Sequence, residues 1–166
     1  MYCHCETILQ DNDQGPLLLW RGREMIEILI TLSMDKATLV AALLFPVVSS
    51  GAYEREALEE DFGNETIKLI DGVEEMAALG QLNVTMEGSA ASAQVDNVRR
   101  MLLAMVDDFR CVVIKLAERI CNLIEVKKAP DEVRQAAAKE CSNIYAPLAN
   151  RLGIGQLKWE IEDYAF

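Results

Sequence analysis

Gln94–Glu125 reads QVDNVRRMLLAMVDDFRCVVIKLAERICNLIE, and its second half decides the fold. Cys111–Ala117 is apolar almost all round, which predicts a helix running through the centre of a bundle rather than along its surface. Outward from it the same helical period recurs. Leu69, Ile70, Val73, Met76, Ala77 and Leu79 form an i, i+3, i+4 stripe, and Trp20, Met25, Ile28, Leu29 and Leu32 give a similar face. No stretch alternates with period two for long enough to make a strand. The expected fold class is all-α.

Punctuation supports that reading. Asp35 and Asp131 stand where N-caps belong, before Lys36-Ala37-Thr38-Leu39 and Glu132-Val133-Arg134. Gly63 reads as a C-terminal stop with Asn64 as the next start, and Gly153 and Gly155 mark a break before a last helix, Gln156–Asp163. Gln81–Ala93, QLNVTMEGSAASA, has the composition of a loop. The start at Met1-Tyr2-Cys3 and the end at Asp163-Tyr164-Ala165-Phe166 carry no natural boundary signals, as expected of a piece of a longer protein.

The chain has 166 residues, enough for one domain over residues 1–166 with a proper core, and its 51% hydrophobic and 26% charged residues are those of a globular protein. Its net charge of −11 repels phosphate backbones and anionic lipid, so neither direct nucleic-acid binding nor a membrane partner is expected. The longest apolar run, Ala37–Val48, is far short of the roughly 20 residues that a spanning helix needs. The N-terminus lacks a charged-then-apolar leader. Cys3, Cys5, Cys111, Cys121 and Cys141 have neither disulfide-framework nor zinc-ribbon spacing, which fits a reducing, cytoplasmic setting. Cys111, Cys121 and Cys141 fall among apolar residues and are expected to pack as small hydrophobes. The single histidine, His4, lies in Cys3-His4-Cys5, a tripeptide without a partner pair for zinc.

Several blocks carry a family resemblance: Met34-Asp35 with Thr38–Leu44; Asn97–Met101 with Ala104-Met105-Val106; Ile114-Lys115-Leu116-Ala117; and Asn143-Ile144-Tyr145-Ala146-Pro147-Leu148-Ala149-Asn150-Arg151-Leu152-Gly153-Ile154. Through them nearly the whole chain resembles the N-terminal hydrolase region of the long Rel/SpoT family of bacterial alarmone enzymes. These make and destroy guanosine tetra- and pentaphosphate. The resemblance implies an HD-domain-like helical bundle.

It also implies a metal site that this chain lacks. Active members have a histidine before the first metal helix, a His-Asp pair after the Ala-Ala-Leu-Leu run, a Glu-Asp pair beyond it that handles the attacking water, and a closing aspartate. Aligned without gaps, those positions hold Arg21, Phe45-Pro46, Ser49-Ser50 and Glu118. Several fixed N or O donors are needed to lower the pKa of bound water. Arg21 repels a cation, and Phe45 and Pro46 have no side-chain donor. Ser49 and Ser50 are not general bases near neutral pH without a partner. No metal and no catalytic residue are expected, and Leu44-Phe45-Pro46 reads as an apolar helix end in the core.

Other residues stay open between two readings. Arg21 and Arg23 either meet phosphates or form a solvated helix face. Tyr145, Asn150 and Arg151 match a region that borders the guanosine pocket in active relatives, or the block is kept because Pro147 and Gly153 fix a bend. In active relatives the segment matching Leu82–Ser89 is basic; here it has no Lys or Arg. Glu118 and Arg119 read as a buried polar pair set against other helices, since adjacent helix residues do not face each other. Glu54–Asp61 and Glu160–Asp163 read as solvated acidic faces.

The pattern of losses resembles the synthetase-only members of the family. It implies a parent that uses Mg and ATP to transfer pyrophosphate to GTP or GDP, with a synthetase domain in the same chain. Ribosome and uncharged tRNA would be met through regions outside this chain. The fragment itself is expected to need no cofactor and to have no enzymatic activity. Three roles follow in order: a regulatory module packing on the synthetase domain, a guanosine-nucleotide sensor without hydrolysis, and a residual metal-dependent hydrolase.

Overall fold

The computed structural model describes Thr7, Leu9, residues 12–81 and residues 108–165. Among these residues all regular structure is helical. The helices are α1 (Gly15–Thr31), α2 (Lys36–Ser49), α3 (Arg55–Phe62), α4 (Asn64–Gln81), α5 (Phe109–Glu125), α6 (Asp131–Glu140), α7 (Ala146–Arg151) and α8 (Gly155–Ala165). A 3₁₀ turn, Val126–Lys128, follows α5, and a π-helical turn, Cys141–Tyr145, joins α6 to α7. The chain divides into two compact units, Met1–Glu74 and Glu75–Phe166.

In the first unit α1 packs on α2. The face of α1 that is buried runs Leu18, Gly22, Met25, Leu29, while Trp20, Ile28 and Leu32 from the expected stripe are only half-buried. The shift has a cause that hydrophobicity does not reveal. A Cβ built on Gly22 would lie 2.7 Å from the backbone oxygen of Leu43, so the helices approach where a glycine of α1 leaves room.

Helix α2 buries every residue from Val40 to Val48. Asp35 is its N-cap, as expected, but its carboxylate makes no backbone capping bond and accepts instead from the Thr38 hydroxyl. The helix does not end at Phe45-Pro46: it runs on to Ser49 with Pro46 inside it, which corrects the reading of that dipeptide as a helix end. Pro46 removes one N–H and its ring crowds the carbonyl four residues back. Burial of its apolar neighbours offsets that cost.

Gly63, at φ 84°, closes α3, and Asn64 opens α4, as read from sequence. Leu69, Ile70, Val73 and Met76 are buried along α4. The acidic side chains of α3 are exposed, with Asp61 accepting from the buried Tyr53 hydroxyl at 2.5 Å.

In the second unit Cys111–Ala117 is wholly buried, so α5 is central there. Asp108 caps it, accepting from the Arg110 amide at 3.0 Å. Cys111, Cys121 and Cys141 are buried, and burial pushes Cys111 up to about 11 and Cys141 up to about 12. Asp131 is the first residue of α6 rather than its N-cap. Pro130 holds the cap position with ψ 150°, because a proline there loses no helical donor and its carbonyl accepts from Val133 and Arg134. Gly153, at φ 73°, ends α7, and α8 starts at Gly155 with Leu157 and Ile161 buried against α5 and α7. In α8 the acidic run is not uniformly solvated: Glu160 and Glu162 are half-buried and Asp163 is exposed.

The expected loop lies, beyond Gln81, outside the described residues, as do His4, Cys3, Cys5, Leu82–Ser89 and the Asn97–Val106 block.

Gly22→Ala is expected to destabilise the fold. Alanine is favoured in a helix by about 1 kcal/mol, but overpacking costs about 1–3 kcal/mol, and here the obstacle is backbone. A net loss of about 1–2 kcal/mol in a urea titration is the expected result. A gain would show that the helices can part freely.

Candidate functional site

Of the residues expected from the family resemblance at the hydrolase metal positions, Arg21, Phe45 and Pro46 lie in the first unit. Phe45 is 6% exposed, and Pro46 is buried beside it. Neither offers a donor. Arg21 is half-buried on α1, while Arg23 is exposed and pairs with Glu27 at 3.1 Å, so Arg23 belongs to a solvated face. Ser49 and Ser50 close α2 by bonding back onto it: Ser49 Oγ donates to the Pro46 carbonyl at 3.3 Å and Ser50 Oγ to the Val47 carbonyl at 2.7 Å. Hydroxyls used this way terminate a helix.

The second unit holds a charged cluster at Glu118. Its Oε2 accepts from Arg119 Nε at 2.8 Å and from Lys115 Nζ at 2.8 Å, and its Oε1 accepts from Arg119 Nη2 at 2.5 Å. Arg119 Nη1 reaches Glu140 Oε2 at 3.3 Å. The expectation that Glu118 and Arg119 would not engage each other is therefore corrected. Spacing rules for helices describe where side chains leave the backbone, whereas a guanidinium on a long stem can fold back onto its neighbour. The Arg119–Glu140 contact runs to another helix, α6.

The electrostatics follow from burial. The Lys115 side chain is 5% exposed, and Glu118 and Arg119 are 19% and 18% exposed. Burial pushes the Glu118 carboxyl up, but the Arg119 bonds and the Lys115 ammonium outweigh it and hold the group down at about 2. Burial lowers Lys115, with Glu118 opposing. Burial also pulls Arg119 down, but Glu118 and Glu140 more than reverse it, so Arg119 stays charged. A carboxylate that accepts three hydrogen bonds from two cations has little capacity left for a metal. Among the described residues, no three or more His, Cys, Asp and Glu side chains group as a metal site.

The nucleotide candidates do not converge. Tyr145 is 1% exposed, and burial raises its phenol well above the usual range; Asn150 and Arg151 are exposed on α7. Sequence reading missed a groove of about 310 Å³ in the second unit, lined among others by Leu123, Lys127, Arg134 and Tyr164. Lys127 Nζ sits 4.3 Å from the centre of the Tyr164 ring. Lys127 and Tyr164 are far apart in sequence, so no motif could have announced it.

A family description, HD domain, matches residues 2–155, and the chain belongs to that family of helical domains. It is 67% identical over 165 residues to a GTP pyrophosphokinase of Photobacterium angustum and 62% identical over 165 residues to that of Escherichia coli. In each case 99% of this chain is covered but only 22% of the relative. A GTP pyrophosphokinase of Streptomyces coelicolor is 43% identical over 157 residues, covering 95% of the chain and 18% of that protein. The chain thus spans about a fifth of the length of these relatives, and its likeness to the Rel/SpoT enzymes extends over nearly all of it. Among the described residues no helix is long and apolar enough to cross a membrane.

The clamp on Glu118 should shape acid stability. A carboxyl held below its ordinary 4.5 contributes stability that is present above that value and is lost as pH falls toward about 2. The shift corresponds to on the order of 3 kcal/mol. Glu118→Gln should flatten the acid limb of the denaturation-midpoint profile between those two values. An identical acid limb in the variant would show that Glu118 is not clamped in solution.

Proposed function

We propose that the chain is a pseudo-hydrolase: a single HD-type domain, residues 1–166, that has lost its metal chemistry and regulates the synthetase domain of a GTP pyrophosphokinase by packing against it. The observation that supports this most directly is the state of Glu118. The one carboxylate left at the positions of the hydrolase metal set is neutralised by Arg119 and Lys115. The other positions hold Arg21, Phe45 and Pro46, which would not build a divalent-cation site, and Ser49 and Ser50, which would not activate water.

The parent protein would transfer pyrophosphate from ATP, with Mg, to GTP or GDP, in keeping with the name of the relatives. It would work in the cytoplasm and meet the ribosome and uncharged tRNA through regions beyond this chain. A domain that does no chemistry can alter synthesis only by contacting two synthetase states differently. The guanosine-sensor reading ranks second. Tyr145 is buried, so Asn150 and Arg151 would have to hold the nucleotide without metal or a basic loop, and the dissociation constant should be no tighter than about 1 mM.

Two experiments test the reading. The chain should release no pyrophosphate from ppGpp with manganese above a no-enzyme control. Phe45→His with Pro46→Asp should not restore release, since Arg21, Ser49 and Ser50 remain and Glu118 stays clamped. Metal-dependent turnover by the unmodified chain would sink the pseudo-hydrolase assignment. Separately, deleting residues 1–166 from the full-length protein should change its basal or activated synthesis rate. Unchanged rates and unchanged stability would leave the domain without a regulatory role.

A further inference from the structure

Residues 131–151 form one continuous helical path with a π-helical turn, Cys141–Tyr145, in its middle, where the Ala146 amide donates to the Cys141 carbonyl five residues back. Such a turn inserts one extra residue into a helix. The segment after it is well anchored, with Ala146, Leu148 and Ala149 buried. The segment before it is not. Asp131–Ala136 are all exposed, and α6 buries Ala137 alone.

If the extra residue were expelled, each site on α6 would pass to the next residue in sequence, a turn of about 100° and a rise of about 1.5 Å. Apolar packing barely distinguishes the two settings, because Ala138 would replace Ala137 in the buried position. Polar groups do distinguish them. Glu140 would leave Arg119 for the exposed site now held by Lys139. Cys141, now 0% exposed, would move into the half-buried site of Glu140, and Ser142 would enter the apolar site of Cys141. Pro147 favours the wide turn, since a regular helix would press its ring onto the Asn143 carbonyl.

We propose that the π turn is a register device: it holds α6 in the one of two settings, offset by a residue, that puts Glu140 on Arg119. It thereby sets the face that the exposed first two turns of α6 present. The setting is held by one ion pair, one buried thiol and one proline, while the alanine run leaves the alternative open. The device goes beyond the regulatory reading and stands whether or not the domain controls a synthetase.

Cys141 reports the setting. In the full-length protein, under native conditions, thiol labelling mapped by peptide mass spectrometry should find Cys141 protected. With Pro147→Ala and Glu140→Gln combined, Cys141 should label about tenfold faster, the change that about 1.4 kcal/mol of lost register preference produces. Cys111 and Cys121, both buried in α5, serve as internal standards and should stay within about twofold, because α5 does not move. Glu140→Gln alone, a mild change on a half-buried side chain, should give a smaller acceleration at Cys141 only. Faster labelling confined to Cys141 in either variant supports the device. Unchanged labelling, or labelling that rises together at Cys111, Cys121 and Cys141, overturns it, the latter because it reports general unfolding.

Discussion

The second unit depends on keeping the Glu118 carboxylate charged inside apolar surroundings. Cys111–Ala117 and Ile120–Cys121 of the same helix are buried, Glu118 itself is largely so, and a lone carboxylate there would be disfavoured. Arg119 and Lys115 make its burial tolerable, and Glu140 in turn holds Arg119. Removing Glu118 would leave Lys115 and Arg119 without the carboxylate that pairs with both, which is generally worse than never having had the pair. The cluster is thus a constraint that ties α5 to the end of α6, rather than a source of large net stability.

That constraint bears on chemistry. The electron pairs with which Glu118 could bind a metal are already engaged by Arg119 and Lys115. In the first unit the side chains in question do different work. Phe45 and Pro46 add apolar volume to α2, and Ser49 and Ser50 satisfy carbonyls at its end.

Much of the scaffold was legible in the chain. Period, the Gly63 stop, the Gly153 break and the burial of Cys111, Cys121 and Cys141 follow from local rules that tertiary contacts reinforce. The features that the structure corrects have separate causes. The buried stripe of α1 was misread because the helix contact is organised by Gly22, which no hydrophobic index rewards. At the start of α6, proline's suitability for the cap position outcompetes aspartate's, and Asp131 becomes the first helical residue.

The sequence by itself determined the all-helical class, the family likeness and the absence of donors at Phe45 and Pro46, because these depend on residue type and order. Only the tertiary structure decided what Glu118 does. Whether a carboxylate is a ligand, a base or half of an ion pair depends on which cations reach it and how much water is excluded. Here Arg119 folding back and Lys115 one turn earlier settle it. The π turn before Pro147 was likewise beyond local rules: a one-residue insertion in a helix is chosen by the contacts on both sides of it.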